Sequence, residues 1–337
     1  MPPLARLALI YDLRPATHQV NDPPDLYAEF ESMEHLEELH SVLESLGFAV
    51  SLVDAHADVI QRLMDLKPSI DLVFNYSVGI HGRSREVRLP ALCELLDIPF
   101  IGSDPMAHAI GSNKHFLKCL AVHLEIATPR WMCLDPSTPI TVPQAAKVIV
   151  KPCCEGSSIG VTGPIIVTDS PAIATAVTRV WETYAGSAVI EEFIEGYDVT
   201  VPLVGRVLRA LPPVLLSVAG QVVSGDLTYT ADLKVASRQE WLSLGEYVPE
   251  SESVQATALL IANAIGCRDF ARVDFRVTPD GKPFLLEVNT TPNLDVARGA
   301  FACAARIGGS SFERVLAEIV VGASMRGHHS KNHRSAI

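Results

Sequence analysis

The sequence predicts a three-part α/β protein. An N-terminal open parallel α/β domain is expected over 1–103 and a small central α+β domain over 104–191. A C-terminal α+β domain with an antiparallel sheet is expected over 192–325, then a mobile polar tail over 326–337. Three observations carry this. Short apolar runs alternate with helical patterns through the first hundred residues, as in a parallel sheet with crossover helices. Beyond residue 103 that alternation gives way to strand stretches around a Gly/Ser loop. From Asp198 strands follow one another and end in a hairpin turned by Pro279-Asp280-Gly281.

In chain order, Leu4–Asp12 reads as a buried strand. Ser32 caps a helix with apolar Met33, Leu36, Leu39, Leu43 and Leu46, and Gly47 ends it. Phe48–Asp54 and Ser69–Tyr76 are the next strands. A helix carrying Leu89, Leu92, Leu95 and Leu96 leads to Ile98–Gly102. The second part holds a helix over Asn113–His123, strands in TPRWMCL, VIVKP and PIIVT, a helix capped by Ser170 with Pro171 in its first turn, and AVIEEF. The third is strand-rich from Asp198 to Leu227 and irregular over Thr228–Pro249. A helix over Val254–Ala264, the hairpin and a last helix over about Ser311–Val321 complete it.

Charged residues are 20% and hydrophobic ones 48%, which excludes a disordered chain. A formal charge of −12 opposes non-specific binding to nucleic acid or anionic membranes. No apolar run reaches the ~18 residues of a membrane span. The opening MPPLARLALIYD is read as a first buried strand rather than a signal peptide. Seven scattered cysteines without a CxxC suggest a reduced, cytoplasmic protein, and no Cys/His cluster suggests zinc.

Three clusters carry chemistry. In VIVKPCCEGSSIGV, Lys151 precedes Glu155, Gly156, Ser157, Ser158, Ile159 and Gly160. Small residues let backbone N–H groups approach phosphate and lysine adds a point charge, although the order is not that of GxxxxGK[ST]. By itself the loop also reads as an ordinary Gly-Ser hairpin. In RVDFRVTPDGKPFLLEVNTTPN, Arg272 and Asp274 share one strand face, and Glu287 and Asn289 share a face of the partner. Two carboxylates and an amide oxygen suit Mg²⁺ on nucleotide phosphates, and Arg272 suits a transferring phosphoryl group or an oxyanion. Phe275, Phe284 and Leu286 alternate onto the other face. In VIEEFIEGYDVTV, an acidic strand end, an apolar pair and a glycine turn could read adenosine.

Together these clusters resemble the ATP-grasp superfamily and, within it, the D-alanine–D-alanine ligase branch. The resemblance runs from about Asp71 to Val321. It rests on DLVFNYSVGIHGRSREVRLPALCELLDIPFIGSDP, SNKHFLK, VKPCCEGSSIGV, VIEEFIEGYDVTV, ADLKV and ARVDFRV with FLLEVNTTPN. The N-terminal stretch looks more like ligase-related proteins of uncertain substrate than like the housekeeping peptidoglycan ligase. The resemblance implies the three-part ATP-grasp fold, ATP with Mg²⁺ (or Mn²⁺), small amino-acid or carboxylate substrates, no nucleic acid or membrane partner, and a homodimer.

By the same resemblance, Lys114 and Lys151 would hold ATP phosphates, with Glu155, Ser157, Ser158 and Gly160 closing over them. Glu191 would accept from the adenine amino group, Phe193 and Ile194 would line the adenine slot, and Asp198 would bind ribose. Lys234 would reach the terminal phosphate, Asp274, Glu287 and Asn289 would hold the metal, and Arg272 would stabilise the tetrahedral intermediate. Arg272, Lys234 and Ser157 would be catalytic, and Glu86, Asn293 and Arg298 would face substrate.

Departures from the family pattern accompany this. Asn293 replaces a glycine beside the oxyanion site, Arg298 stands where a serine binds the second D-alanine carboxylate, and the LHG-type segment is missing from FNYSVGIHGRSRE. The expected reaction is ATP-dependent amide formation through an acyl phosphate, with D-alanyl-D-alanine not the preferred product. An imine-forming ligase of the mycosporine type and a non-catalytic nucleotide module are the alternatives.

Overall fold

The computed structural model describes residues 5–17, 23, 25–56, 58–80, 82–161, 163–184, 186–225, 239–248 and 252–334. The first sheet is parallel. Its strands β1 (Arg6–Tyr11), β2 (Ala49–Asp54), β3 (Leu72–Tyr76) and β4 (Phe100–Ile101) lie in the order β2-β1-β3-β4. Helices α1 (Met33–Ser45), α2 (Val59–Leu66) and α3 (Arg88–Leu95) connect them. Ser32 caps α1 by accepting from the His35 N–H at 3.2 Å, and Gly47 follows it at φ 90. Helix α2 is not evident in the sequence pattern, because only Leu63 of VIQRLMDL is buried while Ile60 and Met64 stay exposed. Buried Asp12, just after β1, accepts from Ser77 Oγ and from the Val78 and Gly79 N–H groups, tying the ends of β1 and β3 together.

Helices α4 (Pro105–Gly111) and α5 (Lys114–His123) lead into a second sheet. It contains β5 (Trp131–Leu134), β6 (Lys147–Pro152), β7 (Ile165–Ile166) and β8 (Ala188–Glu192), antiparallel in the order β5-β8-β6-β7 and packed by α6 (Ser170–Tyr184). The first turn of α6 is capped by Asp169, which accepts from the Ala172 N–H at 3.1 Å, rather than by the expected Ser170.

The third sheet is antiparallel. It comprises β9 (Tyr197–Gly205), β10 (Arg209–Ala210), β11 (Val214–Val218), β12 (Gln221–Val222), β13 (Gln239–Ser243), β14 (Asp269–Val277) and β15 (Pro283–Asn289). The spatial order is β12-β11-β9-β14-β15, with β10 beside β9 and β13 beside β11. Part of the stretch expected to be irregular, Gln239–Ser243, is thus a strand. Its partner β11 supplies a ladder that compensates for the weak local pattern. Helices α7 (Glu252–Ile265), α8 (Ala300–Ile307) and α9 (Phe312–Arg334) complete the fold. Helix α9 continues through most of the segment expected to be a tail, and the apolar face of its first three turns packs with α1 and α8 over the parallel sheet. Among the described residues no helix is long and apolar enough to cross a membrane.

Arg326 of α9 binds the fully buried Asp269 with both guanidinium nitrogens, Nη2 at 2.6 Å, and also donates to the Phe100 carbonyl at 3.1 Å. Asp269 accepts from the Gly102 N–H at 2.8 Å and opens β14. One buried carboxylate therefore fixes the strand that carries Arg272 and Asp274 against the N-terminal sheet. Removing one partner of such a pair strands a buried charge. Arg326→Ala is expected to cost about 3 kcal/mol of stability, read as a lower urea midpoint; an unchanged midpoint would show the pair to be dispensable.

Candidate active site

The β14–β15 hairpin places its functional residues by register. Arg272 lies opposite Asn289 and Asp274 opposite Glu287, with a bulge between Asp274 and Phe275. Beyond the bulge Phe275 pairs with Leu285, so Leu285 is the residue buried alongside Phe275. Leu286 turns instead to the cavity and Phe284 is only half-buried, which corrects the simple alternation read from the sequence. The extra residue of a bulge rotates the following side chains by one face.

On the polar face Asp274 accepts from Arg272 Nη2 at 2.8 Å, from Arg272 Nε at 3.0 Å, from Asn289 Nδ2 at 2.8 Å and from Thr200 Oγ1. Glu287 lies 3.3 Å from Lys114 Nζ. Burial pushes the Glu287 carboxyl up, but Lys114, Lys151 and Arg272 outweigh it and hold its pKa below the usual value. Asn113 caps α5 by accepting from the Phe116 N–H at 3.0 Å. That places Lys114 at the start of the helix, where Nζ also donates to the Glu155 carbonyl of the Gly-rich loop.

These groups line one cavity of about 760 Å³. Arg272, Asp274, Glu287, Asn289, Lys114, Lys151, Glu155, Ser157, Ser158, Asp198, Asn293 and Arg298 are all on its wall. Its apolar lining includes Ile149, Val199, Leu216, Phe275 and Leu286. Ser157 and Ser158 adopt positive φ, 49 and 62. At Gly156 an added Cβ would lie 2.2 Å from Glu29 Oε1, so any larger residue would displace the Glu29 carboxylate. Gly160 lies behind the wall and donates its N–H to Asp25 at 2.8 Å.

Several expected residues are placed differently. Glu191 is 2% exposed and off the cavity wall; one oxygen takes Lys118 Nζ at 2.8 Å and the other Lys151 Nζ at 2.9 Å. Glu191 is held between these two ammonium groups and does not itself line the cavity. Phe193 and Ile194 are also away from the wall: Phe193 lies under Arg276, ring centre to guanidinium 5.2 Å, and the Ile194 carbonyl accepts from Arg276 Nε at 3.0 Å. Arg276 Nη1 donates to Asp198 at 2.6 Å. Burial nevertheless raises the Asp198 pKa, with Arg276 opposing. Glu86 sits behind the wall, 3.5 Å from buried His108 and 3.3 Å from Thr290 Oγ1. Lys234 lies outside the described residues.

The donor chemistry of Asp274, Glu287 and Asn289, two carboxylates and an amide oxygen, suits a hard divalent ion such as magnesium. Asn289 points its amide nitrogen at Asp274, leaving its oxygen toward the Gly-rich loop near Gly156.

Residues not singled out in the sequence also shape the site. Glu29, Glu31, Arg14, His35, Tyr76, Gln239 and Trp241 line the cavity. Arg85 binds Glu29 at 2.5 Å and Glu155 at 3.2 Å, joining the N-terminal segment to the Gly-rich loop. Lys118 carried a legible signal: it is four residues after Lys114 on the same helix, hence on the same face. It is 0% exposed and donates to Thr128 Oγ1 at 2.7 Å.

Burial brings the Lys118 ammonium down to about 8 from its ordinary 10.5, Glu191 opposing and Lys151 and Lys114 assisting. Because the folded value is the lower one, the cost of burying this charge is relieved as pH rises from about 8 to 10.5. In the same range a neutral Lys118 leaves Glu191 to Lys151 alone and reduces the charge Lys151 offers the cavity. For the ATP that the sequence resemblance implies, KM is therefore expected to rise above about pH 8. Lys118→Met should raise it about tenfold near neutrality and flatten that limb; an identical pH profile in the variant would refute the coupling.

A family model described as the D-ala D-ala ligase C-terminus matches residues 140–321. A D-alanine–D-alanine ligase of Azoarcus sp. (strain BH72) is 33% identical over 285 residues, 81% of this chain and 88% of the relative. One from Aquifex aeolicus (strain VF5) is 31% identical over 281 residues, 82% of this chain and 90% of the relative. Among solved structures, the D-alanine–D-alanine ligase of Bacillus anthracis complexed with ATP aligns with a TM-score of 0.72 at 20% identity. That alignment covers 97% of this chain and 99% of the other, a likeness of fold.

Proposed function

This chain belongs to the D-alanine–D-alanine ligase family of ATP-grasp enzymes, which form carbon–nitrogen bonds, and we propose that it joins the carboxylate of one small amino-acid-like substrate to the amine of another through an acyl phosphate. The observation that carries this reading is the convergence of Arg272, Asp274, Glu287 and Asn289 with Lys114 and Lys151 on one cavity wall. A carboxylate oxygen attacks the γ-phosphorus of ATP and the bond to the bridging oxygen breaks, releasing ADP. The amine then attacks the acyl carbon, the carbon–oxygen bond to phosphate breaks, and the amine loses a proton. Lys114 and Lys151 offset phosphate charge, and Arg272 stabilises the charge that develops on oxygen. Asp274, Glu287 and Asn289 would hold magnesium, which when bound supplies Lewis-acid polarisation of the phosphates. The apolar wall of Ile149, Leu216 and Leu286 offers a surface for adenine, with Asp198 on the same wall as the carboxylate for ribose.

The relatives at 31–33% identity are named as D-alanine–D-alanine ligases, which supports neither the imine-forming reading nor a non-catalytic nucleotide module. The acceptor end of the cavity is where this chain has its own chemistry. Arg298 lines the wall there, with its backbone N–H fixed by Asp295 at 2.7 Å. A planar guanidinium grips an acceptor carboxylate in a way that a serine hydroxyl does not.

An acyl phosphate needs protection from water. The N-terminal segment lies against the Gly-rich loop for this purpose: Asp25 accepts from the Gly160 N–H at 2.8 Å and from the Tyr184 hydroxyl at 2.9 Å, and Arg85 bridges Glu29 and Glu155.

The test is to incubate the purified protein with ATP, Mg²⁺ and paired amino acids and to measure phosphate release together with product mass. Amide product in step with phosphate is expected; phosphate without any condensation product would contradict the reading. Glu287→Gln should remain folded and lose about a hundredfold or more of turnover through its weakened metal bridge, and wild-type turnover by that variant would remove the metal assignment. Asp25→Ala should release several-fold more phosphate per amide as water gains access; a ratio that stays at the wild-type value would disconnect the strap from water exclusion. Arg298→Ser should raise the KM of the acceptor at least about tenfold while leaving that of ATP in place, whereas equal changes in both would place Arg298 elsewhere.

A further inference from the structure

At the acceptor end, cations and anions are unevenly matched. Arg14, from the segment after β1, and Arg298, from the turn after β15, both line the cavity. Arg14 donates one guanidinium nitrogen to the Phe30 carbonyl at 2.8 Å. Among the described residues no carboxylate lies within ion-pair distance of either guanidinium.

The neighbouring carboxylates, in contrast, are engaged. Glu31 accepts from Asn293 Nδ2 at 2.8 Å and lies 3.5 Å from His35 Nδ1. Asp295 accepts from the Ala297 and Arg298 N–H groups at 3.0 and 2.7 Å and lies 3.7 Å from His35 Nε2. The same contacts hold the two arginines to one frame. The Arg14 N–H donates to the Glu31 carbonyl at 2.9 Å, and the Glu31 side chain binds the turn that carries Arg298. The hydroxyl of buried Tyr76 accepts from the Leu294 N–H at 2.8 Å and fixes that turn from below. The hydrogen bond to Glu31 raises the His35 pKa, against burial, and His35 spans Glu31 and Asp295.

One carboxylate satisfies one guanidinium. Both guanidinium groups are open to the cavity with no carboxylate of the described residues within ion-pair distance, so two carboxylates on one ligand could each make a charge-assisted, paired contact there. Resting on the reading that Arg298 grips the acceptor, we propose that the acceptor is a dicarboxylic amino acid, its α-carboxylate held by Arg298 and its side-chain carboxylate by Arg14. The amine attacks the acyl phosphate as in the reaction above, and the second carboxylate takes no part in bond making. Arg14 is thus a specificity-determining residue, and selection rests on charge at the end of the side chain.

The experiment is calorimetric titration of the full chain, saturated with ADP and Mg²⁺, with glutamate, glutamine, aspartate, asparagine and alanine of both hands. Glutamine and asparagine match their acids in shape and lack the charge. At least one acid is expected to bind about tenfold or more tightly than its amide. Arg14→Gln should erase that preference while leaving the affinities for the amides and alanine in place. Arg14 is exposed, so the variant should keep the wild-type urea midpoint. Amides binding as tightly as acids, a preference that survives Arg14→Gln, or no binding by any of these probes would overturn the proposal. Condensation is assayed in parallel with the same compounds as acceptors. A dicarboxylate that binds through Arg14 but is never condensed, while another amine is, would overturn this acceptor assignment and leave the ligase reading standing; no condensation with any amine would overturn the ligase reading itself.

Discussion

The register of the β14–β15 hairpin is the constraint on which the site depends. Arg272 pairs with Asn289 and Asp274 with Glu287, so four polar side chains share one face without help from any loop. The bulge after Asp274 limits that arrangement to the end of the hairpin nearest the cavity. Beyond it Leu285 joins Phe275 in the core and Leu286 is freed for the cavity wall. A one-residue slip would exchange the faces and bury the carboxylates against α7, where the same core that holds Val273 and Leu285 lies. Asp269 at the start of β14, bound by Arg326 and Gly102, sets where that register sits relative to the parallel sheet.

Charge then organises the space in front of the hairpin. Lys114 and Lys151 are buried, and each reaches a carboxylate that is also buried or half-buried: Glu287 for Lys114 and Glu191 for Lys151. Lys118 completes the second pair from behind, so that Glu191 is shared between a lysine on the wall and one in the core. Buried ions persist only when paired, and paired ions of this kind are held in place rather than merely tolerated. The cationic wall is therefore preorganised, the condition under which electrostatic stabilisation of a bound anion costs no rearrangement.

The sequence made the polar end of the hairpin legible through a period of two along each strand and a Pro-Asp-Gly turn, but not the bulge after Asp274 that shifts the register of Phe284 and Leu286. The Ser32 cap and the Gly47 stop were legible for the same local reasons. What escaped depends on distant parts of the chain. Strand β13 exists through its ladder with β11, and α9 runs on past Val321 although its last turns are polar. Glu191 looked free in VIEEF, since nothing nearby announces that Lys118 and Lys151 meet it from two other elements. Asp25 and Glu29 were unremarkable in an irregular N-terminal stretch, and so was Arg85 in the segment after β3; their meaning came only with the Gly-rich loop folded against them.

The central claim is that this face of the hairpin transfers a phosphoryl group to a carboxylate. Isotope transfer tests it most directly. With a donor whose carboxylate carries ¹⁸O, an acyl phosphate releases its phosphate with one oxygen taken from the donor. Mass analysis of inorganic phosphate during amide synthesis is predicted to find a single ¹⁸O per phosphate formed. Phosphate that carries no label while amide accumulates would contradict the account.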